Sequence, residues 1–498
     1  MDSIDAQASI LITVCAMKKY LHIYLPFLLL SILIFSPMQA QKKTDFTKSV
    51  GYKYLENSFS VYDGLQKQIF GFAEPGYQEY KSSKALAEHL HAQGFTVEWG
   101  VAGIPTAFIA TYGSGEPVVG LIGEYDALPG MSQDTSTFRH PLEQGAAGHA
   151  CGHNLIGTGP AAAAVAISKW LAEGHKGTVK YFGCPAEEGG GGKAYMTRAG
   201  CFDGLDAFLD WHPDISTKVT MASGLANVRV RFSFQGTSAH ASVAPWNGRS
   251  ALDAVEIFDH MMNMMREHVP DFTRIHYIID DGGQAPNVVP ATASALYYIR
   301  APKAATVLEV LSRAIDAAKG AALGTRTTMS YEIMNGNYES LKNEVLSGIM
   351  LVSLKKVGGV KLDEREKKFC AEIMENSGAD VDLSNFDSFD NDLCRDFDGG
   401  SSDVGNVSQM CPLASLNVAS CVKNSGLHTW QLASIAGSTV GTKILLNVAK
   451  VFYLTALELY TNPAAVKAAK DEYYSVQGHD FQFVPLMGDR QPPFDYCK

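Results

Sequence analysis

The chain is 498 residues long, with 46% hydrophobic residues, 19% charged residues and a formal net charge of −11. That length and composition bury a large core and leave room for more than one domain. An acidic chain without clustered Lys or Arg excludes nucleic acid as a partner, because phosphate neutralisation needs those cations, and a small molecule or peptide fits better.

The first forty residues read as an address. From Met17, "MKKYLHIYLPFLLLSILIFSPMQAQKK" places Lys18 and Lys19 ahead of an apolar run from Leu21 to Phe35, followed by Pro37 and Ala40. This is a secretory signal pattern, and it predicts a leader over 1–40 with export to a periplasmic or extracellular space. An uncleaved leader that anchors the chain in the membrane is the alternative, since Met38 is a poor residue three before the cut. Of the nine cysteines Cys15 lies in the leader, and the other eight are too sparse for a disulfide scaffold. Export still permits one or two bridges among Cys184, Cys201, Cys370, Cys394, Cys411, Cys421 and Cys497.

From 45 to 222, strand-like runs alternate with helical patterns: "TAFIATYG", "VVGLIGEYDALP", the helix "GPAAAAVAISKWLAEG", then "GTVKYFGCPAEE". Alternation of this kind predicts an α/β domain with a mainly parallel sheet, whose chemistry gathers at the carboxyl ends of the strands. The pattern then changes. In "NVRVRFSFQG", Val228, Val230, Phe232 and Phe234 alternate with Arg229, Arg231, Ser233 and Gln235, the period of a half-buried antiparallel strand. A helix at "SALDAVEIFDHMMNMMREH", strands at "RIHYIID" and "TASALYYIR", a helix at "AATVLEVLSRAIDAAKGAAL" and a strand at "TTMSYEI" complete the order β-α-β-β-α-β. That order predicts a ferredoxin-like unit inserted over 223–335. Met261, Met262, Met264 and Met265 in its first helix are expected to pack in the core.

Helix and strand alternate again over 336–465, so the first domain is discontinuous, and 466–498 is read as a C-terminal tail. Between Asp363 and Asp398, twelve acidic residues face four basic ones, a local charge of −8. A solvated surface excursion and a flap over the site are both consistent with it.

Four short stretches, at predicted strand ends or loops, carry metal-type ligands: Cys151 and His153 in "HACGHN", Glu187 and Glu188 in "CPAEEGGGG", His212 in "DWHP" and His428 in "SGLHTW". A Cys-x-His pair alone is weak evidence. The joint occurrence of thiol, imidazole and carboxylate is a donor set suited to Zn²⁺ or Mn²⁺. The run "GGGGK" fails as a phosphate loop, because Ala194 follows Lys193 and Glu187 stands where the first glycine belongs. Adjacent Glu187 and Glu188 point to opposite sides of extended chain, so one can hold metal while the other faces a water.

Seven motifs in order, "GEYDALPGMSQ", "HACGHN", "CPAEEGGGGK", "FQGTSAHAS", "PNVVPATASALYYIRAP", "GSSDVG" and "SGLHTW", resemble the aminoacylase/carboxypeptidase G metallohydrolase family, over about 50–460. The branch is that of p-aminobenzoyl-glutamate hydrolases and auxin-conjugate amidohydrolases. The resemblance implies two divalent ions, Zn or Mn, held by Cys151, His153, Glu188, His212 and His428, with Glu187 as general acid/base. Many members have His-x-Asp where this chain has "GEYDALP", so Asp126 is expected to orient a ligand rather than touch metal. The resemblance also implies that His240 stabilises an oxyanion, that Asn287 contacts substrate and that Arg300 clamps a carboxylate; Asp403 lines the site without an assigned role. The inserted unit is expected to form a homodimer and to bring His240 to the partner's metals.

The function implied is hydrolysis of the amide bond of N-acyl or N-aroyl amino acids, p-aminobenzoyl-glutamate among them, or of small dipeptides. One alternative is a non-catalytic metal-bound binding protein on the same fold, against which the intact Glu187 argues. An exported interaction protein whose Cys and His are structural would hold no metal. Cys151 as an acyl-forming nucleophile leaves Glu187, Glu188 and His428 unused.

Overall fold

The computed structural model describes residues 45–396 and 399–497; the predicted leader and Cys15 lie outside them. Among the described residues the strands run, in chain order, β1 (Thr96–Trp99), β2 (Phe108–Ser114), β3 (Val118–Glu124), β4 (Gly177–Cys184), β5 (Ala207–Asp214), β6 (Lys218–Thr220), β7 (Ala226–Gln235), β8 (Arg274–Asp281), β9 (Thr292–Ala301), β10 (Thr328–Asn337) and β11 (Leu413–Ala419).

Seven of these form one sheet in the order β1-β2-β4-β3-β5-β11-β6. Its four central strands, β4, β3, β5 and β11, are parallel, and antiparallel strands flank them on both sides. The sequence of β3, "VVGLIGE", is buried along nearly its whole length, as strands covered by helices on both faces must be. One covering helix, His153–Leu171, is buried at every residue but Lys169. Its alanine run lets the apolar Thr439–Thr461 helix approach closely. That second helix is long and apolar enough to cross a membrane, yet 89% of its most apolar window is buried inside the protein.

The parallel centre fixes where chemistry can gather. The strands β3, β4, β5 and β11 all point their carboxyl ends to one edge, so the loops that follow them open there together.

A second sheet, β10-β7-β9-β8, is antiparallel throughout. Two helices, Ala251–Met265 and Ala304–Thr325, cover one face, and Val228, Val230, Phe232, Phe258, Tyr297 and Val307 pack between. The opposite face carries Arg229 and Arg231, which the alternation of β7 turns away from the helices. Of the four methionines expected in this core, Met262 is fully buried and Met265 packs against the cluster. Met261 and Met264 are instead exposed, at 39% and 61%, because the Ala251–Met265 helix is amphipathic and those positions fall on its outer side.

Three features of the second half depart from a simple surface-and-tail reading. In the acidic stretch, the Glu364–Asn376 helix is fixed by a capping box between Asp363 and Glu366 and buries Cys370, Ile373 and Met374. Further on, Cys394 forms a β-bridge with Thr220. The Pro463–Gln477 helix runs across the expected tail boundary, and the chain then returns to the loop after β4, where the Tyr496 hydroxyl donates to the Glu188 carbonyl at 3.1 Å. All eight described cysteines are free thiols, so the bridges that export would permit are not formed.

One buried carboxyl in the second core sets a pH test. Asp259 accepts a hydrogen bond from the Tyr297 hydroxyl, and burial pushes its pKa up to about 6 against that hydrogen bond. A raised carboxyl pKa means that the fold favours the protonated form. Its contribution to stability is fully present below the ordinary carboxyl pKa of about 4 and is lost as the pH rises through about 6. Asp259→Asn should therefore melt higher than wild type at pH 8, with the gap closing toward pH 4 in thermal scans; a gap independent of pH would contradict the assignment.

Candidate metal centre

The motif "HACGHN" occupies the turn into the His153–Leu171 helix. Gly152 takes a left-handed φ of 77°, which an L side chain rarely adopts, and the turn splits the motif between two directions. His149 points into the core, its Nε2 3.2 Å from the Ile69 carbonyl, while Cys151 lines the cleft and the buried His153 brings its donor atom within 4.8 Å of the Cys151 sulfur. At the carboxyl end of β5, His212 presents Nε2 to the Cys151 sulfur at 3.4 Å. Its Nδ1 lies 2.8 Å from the Pro213 carbonyl, which fixes the ring. The "SGLHTW" loop delivers His428 in a left-handed conformation, φ 58°, tied to the Cys151 loop by its own N–H donating to the Ala150 carbonyl at 2.9 Å. A strained non-glycine residue of this kind persists only where the surroundings determine it.

Glu187 and Glu188 follow β4. Gly191, at φ 70°, ends their loop and starts the Gly192–Arg198 helix, and a Cβ there would meet the Asn335 side chain at 2.7 Å. The Glu188 carboxylate reaches His428 Nε2 at 3.3 Å and His153 Nε2 at 3.9 Å. Three overlapping sets, Cys151/His153/His212, Cys151/Glu188/His428 and His153/Glu187/Glu188, each bring their donor atoms within 4.8 Å of one another. Cys151, Glu188, His212, His428 and Glu187 line one cleft of about 530 Å³, and the fully buried His153 joins them from behind its wall through the same donor sets.

The electrostatics follow from burial. Burial opposes the charge on Asp126, but His153, whose Nδ1 lies 2.8 Å away, and the Glu188 N–H at 3.0 Å hold its pKa below the usual range. Burial likewise opposes protonation of His153, yet Asp126 and Cys151 hold its pKa well above normal. The two neighbouring glutamates diverge. Burial, then Glu124, Asp403 and Glu188 push Glu187 well up, whereas His428 and His153 hold Glu188 down against its burial. A pair of carboxyls whose environments separate their pKa values is suited to divided labour.

Two site residues were not picked out from the sequence. Glu124, the last residue of β3, lies with one carboxylate oxygen 3.5 Å from His153 Nε2 and the other 2.5 Å from Lys193 Nζ. Lys193, fully buried, also holds Asp403 through Nζ at 2.7 Å and through its backbone N–H at 2.9 Å. "GEYDALP" and "GGGGK" displayed both residues, but only the fold brings them together.

The inserted sheet places its residues elsewhere. His240, exposed, and Asn287 stand together at one end of the sheet, joined by the Ala241 N–H donating to the Asn287 carbonyl at 3.0 Å, and neither lines the cleft of its own chain. Arg300 on β9 stacks 4.8 Å over the Tyr298 ring and donates to Ser401 Oγ at 3.4 Å. Ser401 itself lines the cleft.

A donor cluster at the carboxyl end of a parallel sheet, with an acid poised beside it, defines a hydrolase of the metallopeptidase type. The chain belongs to peptidase family M20/M25/M40, whose family model matches residues 120–488, and it is a hydrolase of amide or peptide bonds. It is 35% identical to a p-aminobenzoyl-glutamate hydrolase subunit of Escherichia coli over 89% of this chain and 98% of that one. To the Xaa-Arg dipeptidase of Mus musculus it is 29% identical, over 82% of this chain and 88% of the other. Among solved structures, a dinuclear metal binding peptidase of the same family from Bacillus subtilis superposes with a TM-score of 0.52 at 15% identity, covering 78% of this chain and 98% of that one. At that identity the likeness speaks for the fold alone.

The Lys193 ammonium should be a structural requirement of the cleft. Removing one partner of a buried ion cluster leaves uncompensated charge, at a cost of about 3–5 kcal/mol. Lys193→Met should lose stability of that order in denaturant unfolding; an unchanged midpoint would show that Glu124 and Asp403 need no buried counter-charge.

Proposed function

We propose that the chain is a metal-dependent amidohydrolase that cleaves N-acyl or N-aroyl amino acids, or small dipeptides, with Glu187 moving the proton. The observation that carries this reading is the placing of the Glu187 carboxylate within 4.8 Å of donor atoms of His153 and Glu188. The residues fit divalent ions by a test internal to the site: His153 Nε2 and the Glu188 Oε1 atom are buried and lack a hydrogen-bond partner although both face the cluster, and buried polar atoms are otherwise almost always satisfied. Cys151, His153, Glu188, His212 and His428 would hold the ions, and sulfur, nitrogen and oxygen donors together suit Zn²⁺ or Mn²⁺. Divalent ions there would supply Lewis acidity, making water nucleophilic near neutral pH and polarising a carbonyl.

The chain's own residues supply the rest. Glu187 accepts a proton from the attacking water and returns it to the leaving amine nitrogen, a task for which its raised pKa suits it. Asp126 fixes the His153 ring through Nδ1 and so aims Nε2 at the cluster. Glu187→Gln should keep its metal while kcat falls by roughly 10²–10⁴, whereas Glu188→Gln should also lose metal, read by elemental analysis beside steady-state kinetics. Near-normal turnover in Glu187→Gln would remove it from the mechanism.

The site is completed, on this proposal, by a second copy of the chain. His240 Nδ1 accepts from the Ser242 and Val243 N–H groups at 3.3 and 3.2 Å, contacts that favour the tautomer with its proton on Nε2, the one an oxyanion requires. Its absence from the lining of its own chain's cleft supports delivery to a partner's cleft, with Asn287 beside it, through a two-fold dimer of the inserted sheet. Mixing inactive His240→Ala with inactive Glu187→Gln under subunit exchange should then restore about half the activity of a wild-type dimer, because one site in each mixed dimer is intact. A verified heterodimer without recovered activity would overturn the shared site and leave the metal chemistry standing. Export directed by the sequence from Met17 is the cellular setting we propose for this reaction.

A further inference from the structure

We infer that Tyr496, close to the end of the chain, is a positioning residue for Glu188: it holds the glycine-rich loop after β4 so that the Glu188 carboxylate stays within reach of His153 and His428. The inference rests on the metal reading of that cluster and goes beyond it.

The loop needs support from outside itself. It lies between β4 and the Gly192–Arg198 helix, beyond the ladders of both, and Gly189 and Gly191 take left-handed φ values of 97° and 70°. Glycine backbone is the most costly to order, and its carbonyls still require donors. Three side chains from three distant segments supply them in succession. The Tyr496 hydroxyl donates to the Glu188 carbonyl at 3.1 Å, Asn335 Nδ2 of β10 to the Gly189 carbonyl at 3.3 Å, and the Tyr77 hydroxyl to the Gly190 carbonyl at 2.8 Å. Ahead of the loop, the buried Glu79 carboxylate accepts the Ala186 N–H at 2.8 Å. Glu188 itself is held from both sides, its N–H by Asp126 at 3.0 Å and its carbonyl by Tyr496.

The tail is built to present that hydroxyl. In "QPPFDYC", Pro492 and Pro493 have fixed φ angles, and the Tyr496 N–H turns back to the Pro493 carbonyl at 3.0 Å. Phe494 and Tyr496 then both meet the Tyr77 ring edge to face, with centroids 5.5 and 5.8 Å away, and Gln78 donates to the Phe494 carbonyl at 2.9 Å. Gly76 leaves the necessary room, since a Cβ there would collide with the Tyr496 hydroxyl. Upstream, Leu486 is buried in the second core and Arg490 pairs with Glu332 of β10. Arg198, which ends the helix after the loop, donates to the Gly488 and Arg490 carbonyls at 2.9 and 2.7 Å. A chain terminus is ordered only where it is tied down, and this one is tied to both sheets and to the loop it supports.

Tyr496→Phe removes the hydroxyl and keeps the ring against Tyr77. Competition with a chromophoric chelator should show zinc bound roughly 10-fold more weakly than by wild type, the lower end of what losing a residue behind a metal ligand costs. The metal-free variant should melt at the wild-type temperature, and the absorption bands of bound Co²⁺ should shift, because the ligand and not the fold has moved. Wild-type zinc affinity in the variant overturns the assignment, as does a weaker affinity accompanied by a lowered melting temperature of the metal-free protein. If wild type binds no zinc, the metal reading fails instead, and hydrogen exchange over residues 187–192 in the metal-free protein then judges the positioning role. Exchange several-fold faster in Tyr496→Phe supports it; unchanged exchange overturns it.

Discussion

Five carboxylates, Glu124, Asp126, Glu187, Glu188 and Asp403, gather at the carboxyl edge of the central sheet, and their mutual repulsion is the constraint around which this protein is built. One buried cation of the chain offsets part of it. Lys193 takes Glu124 and Asp403, and the His153 ring engages Asp126 through Nδ1. Both contacts tie together segments far apart in sequence: the end of β3, the glycine-rich loop after β4, the first turn of the His153–Leu171 helix and the stretch around residue 403. The ion cluster therefore has a structural role, pinning loops that would otherwise be free to diverge. Among the described residues neither Glu187 nor Glu188, the two carboxylates of the donor cluster, is ion-paired with a lysine or arginine. Divalent cations in that position would complete the charge balance that the protein's own residues begin.

That balance explains how two adjacent glutamates come to differ. Glu188 lies against His428 and His153, which favour its anion, while Glu187 faces Glu124 and Asp403, which disfavour it. The difference arises from neighbours and not from the residues themselves. The returning C-terminal segment braces the same loop from behind, through Tyr496 on the Glu188 carbonyl.

The two sheets differ in what they expose. The parallel sheet supplies rigid strand ends where donors can be held to within a few tenths of an ångström, as metal ligation demands. The antiparallel sheet has one face buried under helices and one face open, and the open face is rich in arginine. Its polar residues are placed on strands, so their spacing is fixed by register and not by loop conformation.

By itself the sequence determined the family, the strand and helix order, and the ligand types, because each of these is written in local patterns. Period-two alternation marked β7, continuous apolar runs marked the parallel strands, and "HACGHN" and "CPAEEGGGG" displayed thiol, imidazole and carboxylate at short range. "GEYDALP" also displayed Asp126, which the structure sets 2.8 Å from His153 Nδ1. What only the tertiary structure decided depends on contacts between distant segments. Lys193 looked like part of a failed phosphate loop until its ammonium was found between residues 69 positions before it and 210 after it. Arg274 carried no motif; it stands opposite Arg300 across a strand pair whose register the sequence does not state. The outer methionines and the returning C-terminal segment were misread for the same reason: local periodicity tells which residues can be buried together, and only the packing of whole elements settles which of them are.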